Sequence, residues 1–204
     1  MPGKAISIRE RRRSDLEQEI RKVAIDRFKE VGYEELTLKY VCDKVGISLR
    51  TIFRYFSTKD EILSYPIVHR IKVITGHIKK QSDDVPIVEA YINATITMLR
   101  DENYDPEEVD LIRRVIRDVP SLRARYLIHF GGYAQDEMEE EFARRLGLSV
   151  LDPKIHLLRS FLVMASVSAI FTWSNDPASY DLQALSQQFL SMLSGVEVAI
   201  RQAR

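Results

Sequence analysis

Apolar residues recur at steps of three and four along almost the whole chain. Leu16, Ile20, Val23, Ala24, Phe28 and Val31 share one face of a helix, and Gly32 ends it. Ser14 and Glu17 have capping-box spacing, the hydroxyl taking an orphan N–H while the carboxylate reaches back. Thr37 caps a second, short helix with Leu38, Val41, Cys42 and Val45, which Gly46 stops. Ser48 caps a third helix two residues later, with Ile52, Phe53 and Phe56 as its apolar positions. Thr58 and Glu61 form another capping box and open a long fourth helix to about Lys80. Pro66 lies inside it and predicts a kink near Tyr65.

The pattern stays helical beyond the polar stretch 81–85. Ile87, Tyr91, Ile92, Thr95, Ile96 and Leu99 mark a fifth helix, and Asp105-Pro106 caps a sixth. Pro120 separates that from a seventh, Ser121 to about Leu146, interrupted by Gly131 and Gly132. Asp152-Pro153 caps an eighth helix to Trp173, and Asp181 begins a ninth. No strand alternation or internal repeat is visible. Only 8 glycines and 7 prolines occur in 204 residues, which favours long helices. The expected fold is all-α with about nine helices.

The apolar run Leu157–Trp173 is at the short end of a membrane span and contains Arg159. A packed bundle or subunit contact explains it better, and no membrane partner is expected. Its small residues admit close approach of another helix. Phe161, Ala165, Ser168 and Ala169, with Leu182, Leu185, Phe189, Leu193 and Val196 on the ninth helix, are candidates for a four-helix homodimer interface.

Charge sharpens the division of the chain. The net charge is zero, but residues 1–80 hold 18 Lys and Arg against 11 Asp and Glu, so +7, and the remainder carries −7. A basic N-terminal part facing an acidic remainder points to two domains, the first attracted to a polyanion. One cysteine, Cys42, excludes a disulfide framework or a multi-cysteine metal site. Residues 1–13 carry charge with no apolar core behind them, unlike a secretory signal. They read as a flexible basic arm on a cytoplasmic, nucleoid-associated protein. The expected domains are 14–58 for nucleic-acid binding and 59–204 for ligand binding and dimerisation.

Residues 38–56 carry the chemistry. Two short helices joined by Gly46-Ile47-Ser48 fit a helix-turn-helix, whose second helix enters the DNA major groove. The turn needs a residue tolerant of positive φ, and Gly46 supplies it. A small residue is needed four positions earlier, where the helices cross, and Cys42 is small. Val41, Ile47 and Ile52 form the expected buried wedge. The outward face then presents Leu49, Arg50, Thr51 and Arg54 for base edges. Thr37, Ser48, Tyr55 and Lys59, with Arg11, Arg12 and Arg13 upstream, are placed to hold double-stranded DNA.

Ala24, Phe28, Gly32-Tyr33, Thr37, Val41, Val45-Gly46-Ile47-Ser48, Thr51-Ile52-Phe53, Phe56 and Lys59-Asp60-Glu61-Ile62-Leu63 resemble the N-terminal signature of TetR-type transcriptional regulators. The likeness covers roughly residues 10–65. It implies a homodimer, a palindromic operator, and a C-terminal domain whose small-molecule effector releases the DNA. Three positions depart from the pattern. Cys42 replaces an alanine, Phe53 replaces a tyrosine and loses a phosphate-binding hydroxyl, and Arg50 stands where a small residue is usual. Residues 50–56, 120–126 and 143–147, with Trp173, resemble an actinobacterial subgroup that includes the acyl-CoA-responsive regulator of mycofactocin systems. That likeness implies a hydrophobic or acyl-CoA-like effector.

Met98, Arg117, Tyr126, Phe130, Tyr133, Met164 and Phe171 are the candidate pocket residues, apolar and aromatic walls with a few polar anchors. Arg113, Arg114 and Arg117 could hold an anion or pair with acids on their own helix. No Glu lies three residues before any histidine, as a carboxylate-bridged metal pair needs. Phosphate-loop, nucleophile-elbow and His-Glu-x-x-His patterns are missing too. These absences argue against an enzyme and a cofactor, and the family likeness implies a ligand-responsive repressor. The alternatives are an activator or a DNA-binding regulator with no small-molecule effector.

Overall fold

The computed structural model describes the backbone of residues 8–101, 105–130 and 136–202, apart from the side chains of 8–11, 14, 65–68, 125 and 128–130. Helices α1 (Ile8–Glu35), α2 (Leu38–Val45), α3 (Leu49–Ile52) and α4 (Lys59–Lys79) come first. They are followed by α5 (Ile87–Asp101), α6 (Pro106–Asp118), α7 (Pro120–Phe130) and α8 (Glu137–Leu146). Last come α9 (Pro153–Asn175), α10 (Leu182–Ser191) and α11 (Ser194–Gln202). No strand occurs among the described residues, so the chain is all-α.

Among the described residues eleven helices replace the nine expected, because two long segments break. Residues 121–146 divide into α7 and α8, and Asp136 caps α8 by accepting from the N–H groups of Met138 and Glu139. The last segment breaks at Met192-Leu193, ahead of Ser194-Gly195, a pair with weak helix propensity. At the other end α1 starts at Ile8, so residues 8–13 are helical and not an arm. Residues 1–7 lie outside the described residues, as do Gly131, Gly132 and the Ser14 side chain. Arg9 to Arg13 contain no breaker, and Glu17 accepts from Arg13 at 3.0 Å. That pair supports an uninterrupted first turn where a capping box had been expected.

The other caps form where the sequence places them: Thr37, Asp105, Asp152 and Asp181 each accept from a backbone N–H of the following turn. At the start of α4, Thr58 accepts from the Glu61 N–H, while the Glu61 carboxylate reaches back to the Ser57 N–H at 2.5 Å. α4 is helical at every residue through Pro66.

The chain divides between Tyr65 and Pro66 into two compact units. In the first, Ile20, Ala24, Phe28, Leu36, Val41, Cys42, Ile52, Phe56 and Ile62 form the buried core. In the second, α9 packs against α5, α6, α8 and α10, and its residues Ile155, Leu158, Leu162, Val163 and Ala169 are buried. α9 is long and apolar enough to cross a membrane, yet its Arg159 is buried and donates twice to Asp136, at 2.9 and 2.5 Å. A paired charge and a run of buried side chains are the marks of a core helix.

Candidate functional site

The recognition element is built from backbone constraints outward. Thr37 accepts from the Tyr40 N–H at 3.2 Å and starts α2. Gly46 ends it at φ 75°, ψ 33°, where an L side chain would be strained. Its N–H and that of Ile47 both donate to Cys42 O, at 2.9 and 3.1 Å. This tight return aims the next helix. Ser48 caps α3 by accepting from the Thr51 N–H at 3.1 Å, and the two hydroxyls lie 2.9 Å apart. Val41, Cys42 and Ile52 are buried, and Ile47 is half-buried at the wedge.

Ile52 and Phe56 turn inward, which leaves Leu49, Arg50, Phe53 and Arg54 outward. Phe53 had been expected among the apolar contacts of the third helix. It is 54% exposed, because α3 closes after one turn and Phe56 takes the inward position. Arg12 and Arg13 are exposed. The Arg13 guanidinium stands 5.8 Å from the centre of the Tyr55 ring, which joins the start of α1 to the recognition segment. The Arg11 side chain lies outside the described residues.

Lys59 is committed elsewhere than the exposed residues. Its ammonium donates to the carbonyls of Tyr33 at 2.7 Å and Glu34 at 3.3 Å, and lies 4.0 Å from the centre of the Tyr33 ring. The Tyr33 hydroxyl in turn donates to Asp60. Gly32, at φ 82°, breaks α1 just before these residues, and the clasp satisfies carbonyls that the break leaves open.

The second unit holds a partly open apolar cavity of about 70 Å³, several times the volume one water requires. Helices α4, α5, α6, α7, α9 and α10 all contribute to it. Met98, Tyr126 and Phe171 line it, together with Arg70, Tyr91, Thr95, Ser166 and Ser186, which sequence reasoning did not place there. Tyr91 and Thr95 stand in the apolar stripe that the sequence predicts for the fifth helix. Their spacing within otherwise apolar faces was the available signal.

Arg117 is not in the cavity wall and makes a two-pronged pair with Asp118 at 2.8 and 3.0 Å. Met164 is exposed. Tyr133 and the Phe130 side chain lie outside the described residues. Arg113 and Arg114 both pair with Asp110, and Arg113 also stands 5.9 Å from the centre of the Phe171 ring.

Burial pushes the Tyr91 phenol up to about 12, against the lowering effects of its Ser166 hydrogen bond and nearby Arg159. Thr95 adds a weaker lowering effect without reaching hydrogen-bond geometry. Burial raises Tyr126 as well, opposed by Arg70. Both phenols are therefore neutral donors at physiological pH.

The described residues so far amount to a helix-turn-helix beside basic side chains and a separate helical unit with an apolar cavity. Residues 20–65 match the family model of bacterial regulatory proteins, tetR family. Over that segment the chain resembles the tetR family.

A protein of Mycobacterium tuberculosis named as a mycofactocin biosynthesis transcriptional regulator is 24% identical over 190 residues, 92% of this chain and 94% of its own length. Among solved structures, a TetR-family regulator of Syntrophomonas wolfei superposes with a TM-score of 0.59 at 14% identity, covering 91% of this chain and 96% of its own. A complex of SmeT with triclosan does so at 0.57 and 18% identity, covering 91% of each chain. The proteins that the chain resembles over this length are named as transcriptional regulators.

Proposed function

We propose that the protein is a cytoplasmic, homodimeric repressor that binds a palindromic operator and releases it when a small apolar effector enters the second unit. The observation that carries this reading is the cavity, whose wall includes Arg70, Ile71 and Ile74 of α4, a helix that begins at Lys59 next to the recognition segment. Effector packing against α4 would shift the recognition helices out of register with successive major grooves. The solved relative that holds triclosan supports a small apolar molecule as the kind of ligand.

Arg50 and Arg54 are read as base contacts, with Leu49 and Thr51 touching thymine methyls. Thr37, Ser48 and Tyr55, with Arg11, Arg12 and Arg13, are read as backbone contacts. For the dimer, Phe161 and Ser168 stand exposed on α9 along with Leu157 and Met164. Ala165, Leu182, Phe189, Leu193 and Val196 are half-buried, whereas Ala169 and Leu185 are already buried within the protomer. A second copy is the occupant that suits the exposed α9 face.

Selection from random duplex DNA at physiological salt tests the reading. A palindrome with half-sites about one helical turn apart is expected. With ~8 phosphate contacts per dimer, affinity should fall steeply with salt, at about 0.9 in log–log slope per contact. Recovery of no motif would refute sequence-specific operator binding. A recovered operator that no apolar compound releases would refute the effector.

A further inference from the structure

Given the reading of the recognition segment as operator-binding, its exposed side chains define which base it prefers. The Ser48 and Thr51 hydroxyls are already engaged with each other at 2.9 Å. Tyr55 is half-buried beside the Arg13 guanidinium. Two pairs remain outward, Leu49 with Phe53 and Arg50 with Arg54. Leu49 is 46% exposed and Phe53 54%. The Phe53 N–H donates to Leu49 O at 3.1 Å, so the two apolar side chains stand one turn apart on one face.

An apolar pair in water gains by being covered, and the neighbouring charges say by what. No Asp or Glu occurs between Asp43 and Asp60. Arg50 and Arg54 make no ion pair or side-chain hydrogen bond among the described residues. Unanswered cations beside an apolar pair complement a polyanion that carries apolar spots. The DNA major groove is such a surface, with base edges for the arginines and the C5-methyl group of thymine for apolar side chains. The phenyl ring has no donor or acceptor, so it gains by removal of apolar surface from water and not by holding a phosphate. Four residues of helix rise about 6 Å and one base pair about 3.4 Å. Methyl groups met by Leu49 and Phe53 therefore lie within about two base-pair steps of each other.

We propose that Phe53 is a specificity-determining residue whose ring covers the methyl group of one thymine in each operator half-site, close to the thymine that Leu49 meets.

The test uses the operator recovered by selection from random duplex DNA. Each thymine is replaced in turn by deoxyuridine, in both half-sites together, which removes the methyl and leaves the hydrogen-bonding edge intact. At one symmetric position the wild-type protein is expected to lose about fourfold in affinity per half-site, or about fifteenfold for the pair. Phe53→Ala should bring the thymine and deoxyuridine operators to within about twofold of each other at that position alone, and Phe53→Leu should restore part of the difference. The alanine variant should leave the salt slope unchanged and the Tm of the free protein within about 1 °C of wild type, because the ring is exposed.

Four results overturn the proposal. They are an operator whose thymines all tolerate deoxyuridine, a methyl effect that persists in Phe53→Ala, an equal loss by Phe53→Ala on every operator variant, and a marked fall in Tm of the free variant. The third would put the ring on the sugar–phosphate backbone, and the fourth would make it part of the fold. In each of these the palindrome and its salt dependence stand. Recovery of no palindrome ends the operator reading, and this inference with it.

Discussion

Replacement of Lys59 by methionine separates two roles that the sequence alone leaves superimposed. Its position beside the recognition segment puts this lysine on a DNA phosphate, whereas its ammonium is closed onto Tyr33 O, Glu34 O and the Tyr33 ring. Charge-assisted hydrogen bonds contribute about 1.5–3 kcal/mol, and half-exposure reduces that here to about 1–1.5. The ring contact adds about 0.5–1 kcal/mol. Lys59→Met should therefore cost about 2 kcal/mol. At roughly 2–4 °C per kcal/mol for a chain of this size, Tm falls by about 4–8 °C. The assay pairs thermal unfolding with operator affinity across a salt series. If the clasp is the role, the salt slope is unchanged. Removal of a phosphate-binding charge from each protomer would instead shallow the slope by about 1.8. A slope change of that size with Tm within about 1 °C of wild type would refute the clasp.

The Glu197 carboxylate is buried, accepts from Val88 N–H at 3.2 Å and from Arg201 at 2.8 and 3.0 Å, and so satisfies an orphan donor in the first turn of α5. Glu197→Ala should cost about 2–3 kcal/mol; a Tm drop below about 2 °C in thermal unfolding would dismiss this role. The Arg144 guanidinium, with Arg145 behind it, holds the Glu141 carboxyl below its ordinary range. A depressed folded-state pKa contributes stability above the unfolded value and loses it as pH falls through the folded one. Glu141→Gln should thus be less stable than wild type at pH 7, with the gap closing in acid; a gap constant across chemical denaturation from pH 7 to 3 contradicts the linkage. Pro66 removes one N–H from the middle of α4, and alanine there restores a bond worth up to ~3 kcal/mol. If α4 bends at this point during release, Pro66→Ala weakens effector-driven release several-fold; unchanged operator affinity and unchanged release would remove the hinge.

The first unit was legible because its constraints are local. A glycine at positive φ, a hydroxyl cap and a small residue at a helix crossing each act within five residues, so spacing alone locates the turn and the buried wedge. Phe53 escaped for the same reason that it is informative. Periodicity counts it with Ile52 and Phe56, but α3 ends after Ile52, and the turn swings the ring outward. Helix count failed where a break depends on weak preference rather than on a strong signal. Ser194-Gly195 lowers helix propensity without forbidding a helix, and Arg9 to Arg13 continue α1 because nothing stops it.

The second unit was legible as helices and not as a site, and the reason is geometric. A cavity is the shared space of several helices, six in this case, whereas periodicity describes one helix face at a time. Thr95 and Ser186 lie 91 positions apart, and nothing in the spacing of either shows that their hydroxyls share a wall. Charge behaves differently, because a buried charge must be answered somewhere. Arg159 argued against a membrane span from its presence alone, and the reason is its pairing with Asp136, 23 positions earlier on the edge of α8. Removing that answer is costly, since a buried guanidinium left without its carboxylate is far worse than either partner exposed. The apolar helix α9 is thereby tied to the core of the second unit, and its Val163, Ser166 and Val167 are held as one wall of the cavity.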